Sequence, residues 1–242
     1  MVRLIQMAGR AFRFSSSSSS KTLISLFQRS HLQMEQQPLC NSLVQSRNYI
    51  SEMRKSAFEG NILRILRTEI QYESEYAPPK QPVTEFNSFT VEDRPGEQWI
   101  RLRGKYGKED IKVEVTMFDG SLPVPKATED GQGEDAQLHI SLIVDVSKGE
   151  GCDVLEFVCS AWPDSLEIQK IFMLRRGGMP ARPYVGPDFK DLDDELQNAY
   201  HEFLEERGLN DELAVFLHEY MVNKDKTELV RWLGNIKSFI EK

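Results

Sequence analysis

Pro163-Asp164, Glu167 and Lys170 are the residues best placed to do chemistry. Two carboxylates and a lysine sharing a metal and a water carry out nuclease-like hydrolysis. That arrangement needs the second acid and the lysine two apart, on one face of a strand. Here they stand three apart, which on a regular strand puts Glu167 and Lys170 on opposite faces. Zinc has no ligand set either. Cys152 and Cys159 lack a paired cluster, and the histidines (His31, His139, His201, His218) are scattered. Cys159 reads as a small core residue. His139 alternates with the apolar positions of its strand and is expected to face solvent. Gly104-Lys105-Tyr106-Gly107-Lys108 has neither the spacing nor the hydroxyl of a phosphate loop. Gly177-Gly178 after Arg175-Arg176 reads as a strand-end turn. No Ser-His-Asp or Cys-His set has a supporting context. No catalytic residue, metal ligand or cofactor is assigned.

Carboxylate arrangement is the chemistry that stands out. Between Asp188 and Glu212 there are ten acids against Lys190 and Arg207. Read as one helix after Pro187, Asp191, Glu195, Glu202, Glu205 and Glu206 fall within about 100° of arc. An apolar stripe of Phe189, Leu192, Leu196, Ala199, Tyr200 and Phe203 lies roughly 120° away. Glu69, Glu73 and Glu75 form a second cluster. A line of like charge keeps a protein soluble, and it also steers and selects basic partners. Asp191, Glu195, Glu202, Glu205 and Glu206 are therefore the candidate partner-binding residues. Arg101, Arg103 and Lys105 alternate along one strand, where they could meet solvent, RNA or a neighbouring subunit.

The elements that hold these groups follow from periodicity. Phe58, Ile62, Ile65, Leu66 and Ile70 lie on one face of a helix that ends near Tyr76, ahead of Pro78 and Pro79. Period-two segments follow at Phe86–Glu92, Trp99–Tyr106, Ile111–Phe118, Leu138–Val146, Leu155–Ala161 and Leu166–Leu174. Their turns are short, so neighbours are antiparallel, in a meander of six or seven strands. Residues 119–135 hold three glycines, two prolines and five acids, and are expected to form a mobile acidic loop. Two or three helices close the chain. Gly208 is expected to stop the first, and Asn210 or Asp211 to cap the next, with a break near Asn223–Asp225. Strands and helices in separate blocks give an α+β fold.

Composition sets the outer bounds. The net charge is −8 over 242 residues, which argues against unspecific binding to nucleic acid. No run approaches about 18 apolar residues, so no transmembrane helix is expected. Three cysteines exclude a disulfide scaffold. The average hides a division: residues 1–49 carry six bases and only one acid, Glu35. Arg3, Arg10 and Arg13 share a side of a helical wheel, and a run of serines, Ser15 to Ser20, follows. That is the composition of a transit peptide, and Arg47-Asn48-Tyr49 resembles a mitochondrial processing site. The expected organisation is a disordered leader over 1–49 and one acidic domain over 50–242.

Residues 53–242 resemble the mitochondrial acidic matrix proteins, also called the mitochondrial glycoprotein family, and most resemble a plant member. The resemblance rests on local text as well as element order. Phe157-Val158-Cys159-Ser160-Ala161-Trp162-Pro163 stands in a late strand. Leu192-Asp193-Asp194-Glu195-Leu196-Gln197 opens a C-terminal helix, and Phe203-Leu204-Glu205-Glu206-Arg207-Gly208-Leu209 closes it. Trp232-Leu233-Gly234-Asn235-Ile236-Lys237-Ser238-Phe239-Ile240 ends the chain. The resemblance implies seven consecutive antiparallel strands flanked by helices, in a ring-shaped homotrimer. It also implies a non-enzymatic scaffold or chaperone for basic proteins, supporting mitochondrial ribosome assembly, translation and respiration. The alternatives are a metal-dependent hydrolase using Asp164, Glu167 and Lys170, and a buffer of divalent cations.

Overall fold

A computed structural model describes residues 40–76, 78–125, 134–178, 182 and 184–242. Helix α1 (Cys40–Tyr76) is followed by strands β1 (Glu85–Phe86), β2 (Phe89–Asp93), β3 (Trp99–Tyr106), β4 (Glu109–Pro125), β5 (Glu134–Ser147), β6 (Val154–Trp162) and β7 (Ser165–Leu174). A short 3-10 turn (Phe189–Asp191) leads to α2 (Asp194–Glu205) and α3 (Asp211–Ile240). The seven strands form one sheet in chain order, every neighbouring pair antiparallel. The α+β architecture is thus as expected, with two C-terminal helices.

The chain divides into two units, residues 1–61 and 62–242. In the first, α1 begins at Cys40, inside the stretch assigned to the leader. No proline or glycine lies between Asn41 and Glu59 to stop it. The transit-peptide features before Cys40 lie outside the described residues. Tyr49, Ile50, Met53 and Phe58 are exposed along α1, Phe58 at 66%.

In the second unit, alternation buries one face of the sheet. Ile100 and Leu102 of β3, Val113 and Val115 of β4, Ile140, Leu142 and Val144 of β5, and Phe157 and Cys159 of β6 are fully or nearly fully buried. Leu204, Leu209, Leu213, Leu217 and Met221 of the C-terminal helices and their junction join the same core. The β3–β4 hairpin turns at Gly107 (φ 58), which fixes the register of Arg101 against Glu114 and Arg103 against Lys112. Gly104 faces Phe89 so closely that a Cβ there would lie 2.7 Å from the ring.

Four expectations need correction. The loop over 119–135 is shorter, because Gly120–Pro125 pairs with Glu134–His139 as strand, with Asp119 at the register shift before it. Beyond Thr116, β4 has no β3 partner, so the missing amides of Pro123 and Pro125 break no ladder there. Residues 126–133 lie outside the described residues. The break near Asn223–Asp225 is absent and α3 runs on, because its polar groups are used in tertiary contacts. Asn223 exchanges two hydrogen bonds with the backbone of Lys80 (2.7 and 3.0 Å), and Lys224 is buried against Asp93. The apolar face of α1 is only partly covered, with Leu66 buried, Ile62 and Ile70 half-buried and Ile65 exposed. Within this unit Arg67 of α1 pairs with Glu241, the residue capping the end of α3, at 2.8 Å. Leu196, placed in the buried stripe of α2, is 43% exposed, and Leu204 takes the core position instead.

Candidate functional site

The carboxylate ridge is built from α2 and its two ends. Asp193 caps the helix, its side chain accepting from the Glu195 amide at 2.9 Å. Gln197 donates back to the Leu192 carbonyl at 2.8 Å, closing the chain over the entry. Leu204 enters the core, while Tyr200 and Phe203 pack against Phe157 at ring separations of 6.0 and 5.9 Å. Gly208, at φ 76, ends the helix as expected.

Arg207 locks the far end. Its guanidinium pairs with Glu109 (2.9 and 2.8 Å), donates to the Phe203 carbonyl, and lies over the Tyr106 ring. The opposite side of α2 is then held toward water. Glu195, Glu202 and Glu205 are exposed there, and none joins a salt bridge among the described residues. Glu206 is exposed but 3.8 Å from Arg207, with the Tyr106 hydroxyl 3.4 Å away. Asp191 is exposed but stands apart. It belongs to the 3-10 turn, and extended backbone at Leu192 and Asp193 separates it from the helix. The single five-residue arc is therefore corrected: the helix carries Glu195, Glu202 and Glu205, with Glu206 at its cap.

The hydrolase trio is arranged differently from expectation. A bulge in β7 opposes Val158 and Cys159 to Lys170 and Ile168, leaving Gln169 extra. Glu167 opposes Ser160 and Lys170 opposes Val158, so the two share one face after all. Lys170 nevertheless pairs with Asp188 at 3.1 Å, while Glu167 accepts from Gln169. Among the described residues, no group of three or more His, Cys, Asp or Glu is disposed to hold a metal ion. Cys159 is buried, which pushes its thiol up to about 12, and Cys152 is exposed in the turn before β6.

The basic strand is compensated. Arg101 donates to Glu114 at 2.7 Å, Arg103 to Glu92 at 2.7 Å, and Lys105 lies 3.2 Å from Asp110. The hydrogen bond from Arg101 holds Glu114 below the usual glutamate range against the opposing effect of burial. A groove of about 810 Å³ opens beside these strands, lined by Arg103, Lys105 and Lys112 with Asp110, Asp145 and Glu150. Its walls are of mixed sign.

Two clusters escaped sequence reasoning. His139 is half-buried rather than solvent-facing. Its Nδ1 lies 2.7 Å from Asp119, and its ring packs on Trp162 with centroids 4.8 Å apart. Burial pushes Asp119 up, but hydrogen bonds from Ser141, His139 and Thr116 bring it below the usual aspartate range. Two register shifts in β4 put Asp119 there, and no local pattern signals them. The second cluster is Lys224 with Asp93 and Tyr220, whose hydroxyl donates to Asp93 at 3.0 Å.

Comparison with known proteins bears on the whole of this arrangement. The profile of the mitochondrial glycoprotein family, MAM33, matches residues 66–240. An uncharacterized mitochondrial protein of Arabidopsis thaliana is 32% identical over 207 residues, covering 80% of each chain. The mitochondrial acidic protein mam33 of Schizosaccharomyces pombe is 26% identical, covering 80% of this chain and 84% of its own. Among solved structures, the Trypanosoma brucei p22 protein superposes with a TM-score of 0.62 at 22% identity, over 76% of this chain and 99% of that one. A Leishmania major protein, described as a sequence homologue of human p32, gives 0.58 at 19% identity, over 75% and 98%. These two similarities speak to the fold.

Proposed function

The chain belongs to the mitochondrial glycoprotein family, and from that premise we propose that it is a non-enzymatic acidic protein of the mitochondrial matrix that scaffolds or chaperones basic proteins. Its clients are basic matrix proteins, including ribosomal and RNA-binding ones, and its service is to mitochondrial ribosome assembly, translation and respiratory function. The observation that carries the reading is the ridge of Glu195, Glu202 and Glu205, exposed and without salt bridges among the described residues. Charges in that state cost nothing to uncover when a lysine- or arginine-rich partner arrives, and their field raises its encounter rate. The working form is a ring-shaped homotrimer. Exposed Ile65, Tyr72 and Tyr76 on α1 and Trp232 and Phe239 on α3 support association, since apolar surface of this kind is covered in stable assemblies.

Capture of basic matrix proteins on immobilised protein tests the ridge. Binding is expected to fall at least tenfold when Glu195, Glu202 and Glu205 are all replaced by lysine, and to weaken as salt rises. Equal capture by wild type and triple variant at low salt, both folded by circular dichroism, would remove the ridge from the mechanism.

A further inference from the structure

The sheet face turned away from the core carries two carboxyl groups that the proposed function does not use. Asp145 of β5 and Glu156 of β6 stand directly opposite one another in the antiparallel register. Like charges in that relation repel. Lys112 of β4 reaches one side of the pair, its Nζ donating to Asp145 Oδ2 at 3.0 Å. Asp145 Oδ1 is buried and has no hydrogen-bond donor among the described residues. A buried carboxylate oxygen without a donor is an arrangement folded proteins rarely keep. The group placed to supply that donor is Glu156, provided it holds a proton.

We propose that Asp145 and Glu156 bind one proton between them, Glu156 donating it to Asp145 Oδ1, and that this makes the outer face of the sheet a pH-sensitive element of the fold. The neighbouring charges fit that assignment. From β4, Lys112 and Glu114 face the pair, and Glu114 is itself held by Arg101 of β3. Arg103 of β3 stands opposite Lys112 but is engaged by Glu92 of β2. From β7, Phe172 is directly opposite Glu156 and offers no donor, while Lys170 lies two pairs further along, bound to Asp188. Burial raises Glu156 most. Asp145 raises it further by charge and by hydrogen bonding, Lys112 opposes, and Glu114 adds to the rise.

A group raised in the folded state contributes its full stability below its unfolded value and loses it as pH climbs through its folded value. The β5–β6 contact therefore tightens toward acid and loosens toward alkaline pH. Thermal melts of wild type and Glu156→Gln across about pH 4 to 9 test this. The glutamine amide donates to Asp145 Oδ1 at every pH. The variant is expected to melt higher than wild type by a few degrees above the Glu156 titration, the gap closing toward the ordinary value of 4.5. Infrared spectroscopy supplies the second readout. A protonated-carboxyl band should persist in wild type where exposed acids are ionised, and be lost at lower pH in Asp145→Asn, where burial alone still raises Glu156. Parallel melting curves would overturn the shared proton, as would a missing acid band or one unchanged in Asp145→Asn.

Discussion

Lys224 shows what a single residue does in this fold. Its side chain is 1% exposed, and its ammonium meets Asp93, with Glu228 3.9 Å away. Tyr220 donates to the same aspartate, and burial followed by the Asp93 charge raises its hydroxyl above the usual tyrosine range. Glu228 in turn accepts from the Gly96 amide, so the network pins the β2–β3 turn to α3. Replacing Lys224 with alanine leaves Asp93 facing the protein without its cation. We expect a loss on the order of 3 kcal/mol in urea unfolding. The double replacement Lys224→Met with Asp93→Leu should recover most of it, because the lone charge is then gone. A loss under about 0.5 kcal/mol in the single variant would mean that the pair only fills space. In the sequence this lysine sits in a polar run that reads as a helix break. Its partner is 131 residues away, and nothing local announces it.

At the scale of elements, turns and alternation were legible because they depend on neighbours in the chain. The residues of the Trp99–Tyr106 strand, the stop at Gly208 and the cap at Asn210, whose side chain accepts from Leu213, all follow from short-range rules. Departures from periodicity were not legible. The β7 bulge brings Glu167 and Lys170 to one face, and the β4 shifts aim Asp119 at His139. Bulges answer the twist and closure of the whole sheet, so they have no signature within one strand. Gly104 is the element-level test. Its missing side chain makes room for Phe89, one of the largest fully buried groups. Gly104→Ala should cost roughly 1–3 kcal/mol by forcing that ring aside. Gly177→Ala, where nothing lies within 4 Å, should change the denaturation midpoint little.

For the whole molecule, the excess of acid is the dominant quantity, and it is distributed unevenly. The basic strand is matched across the sheet by Glu92, Asp110 and Glu114, whereas the α2 ridge is left unmatched among the described residues. Apolar exposure is uneven too, with Trp232 at 58% and Phe239 at 80% on α3. If those two side chains lie between copies of the chain in the proposed trimer, replacing both with lysine should lower the light-scattering mass toward that of one chain without loss of helix. An unchanged mass would place the association elsewhere. Element order, the antiparallel meander, the acidic character and the family resemblance were all determined by the sequence itself, through alternation, turn chemistry and recognisable local text. The tertiary structure alone decided which of those acids stay free. A carboxylate's fate depends on the cation brought opposite it from a distant strand or helix, and that meeting is set by register, bulges and core packing acting together.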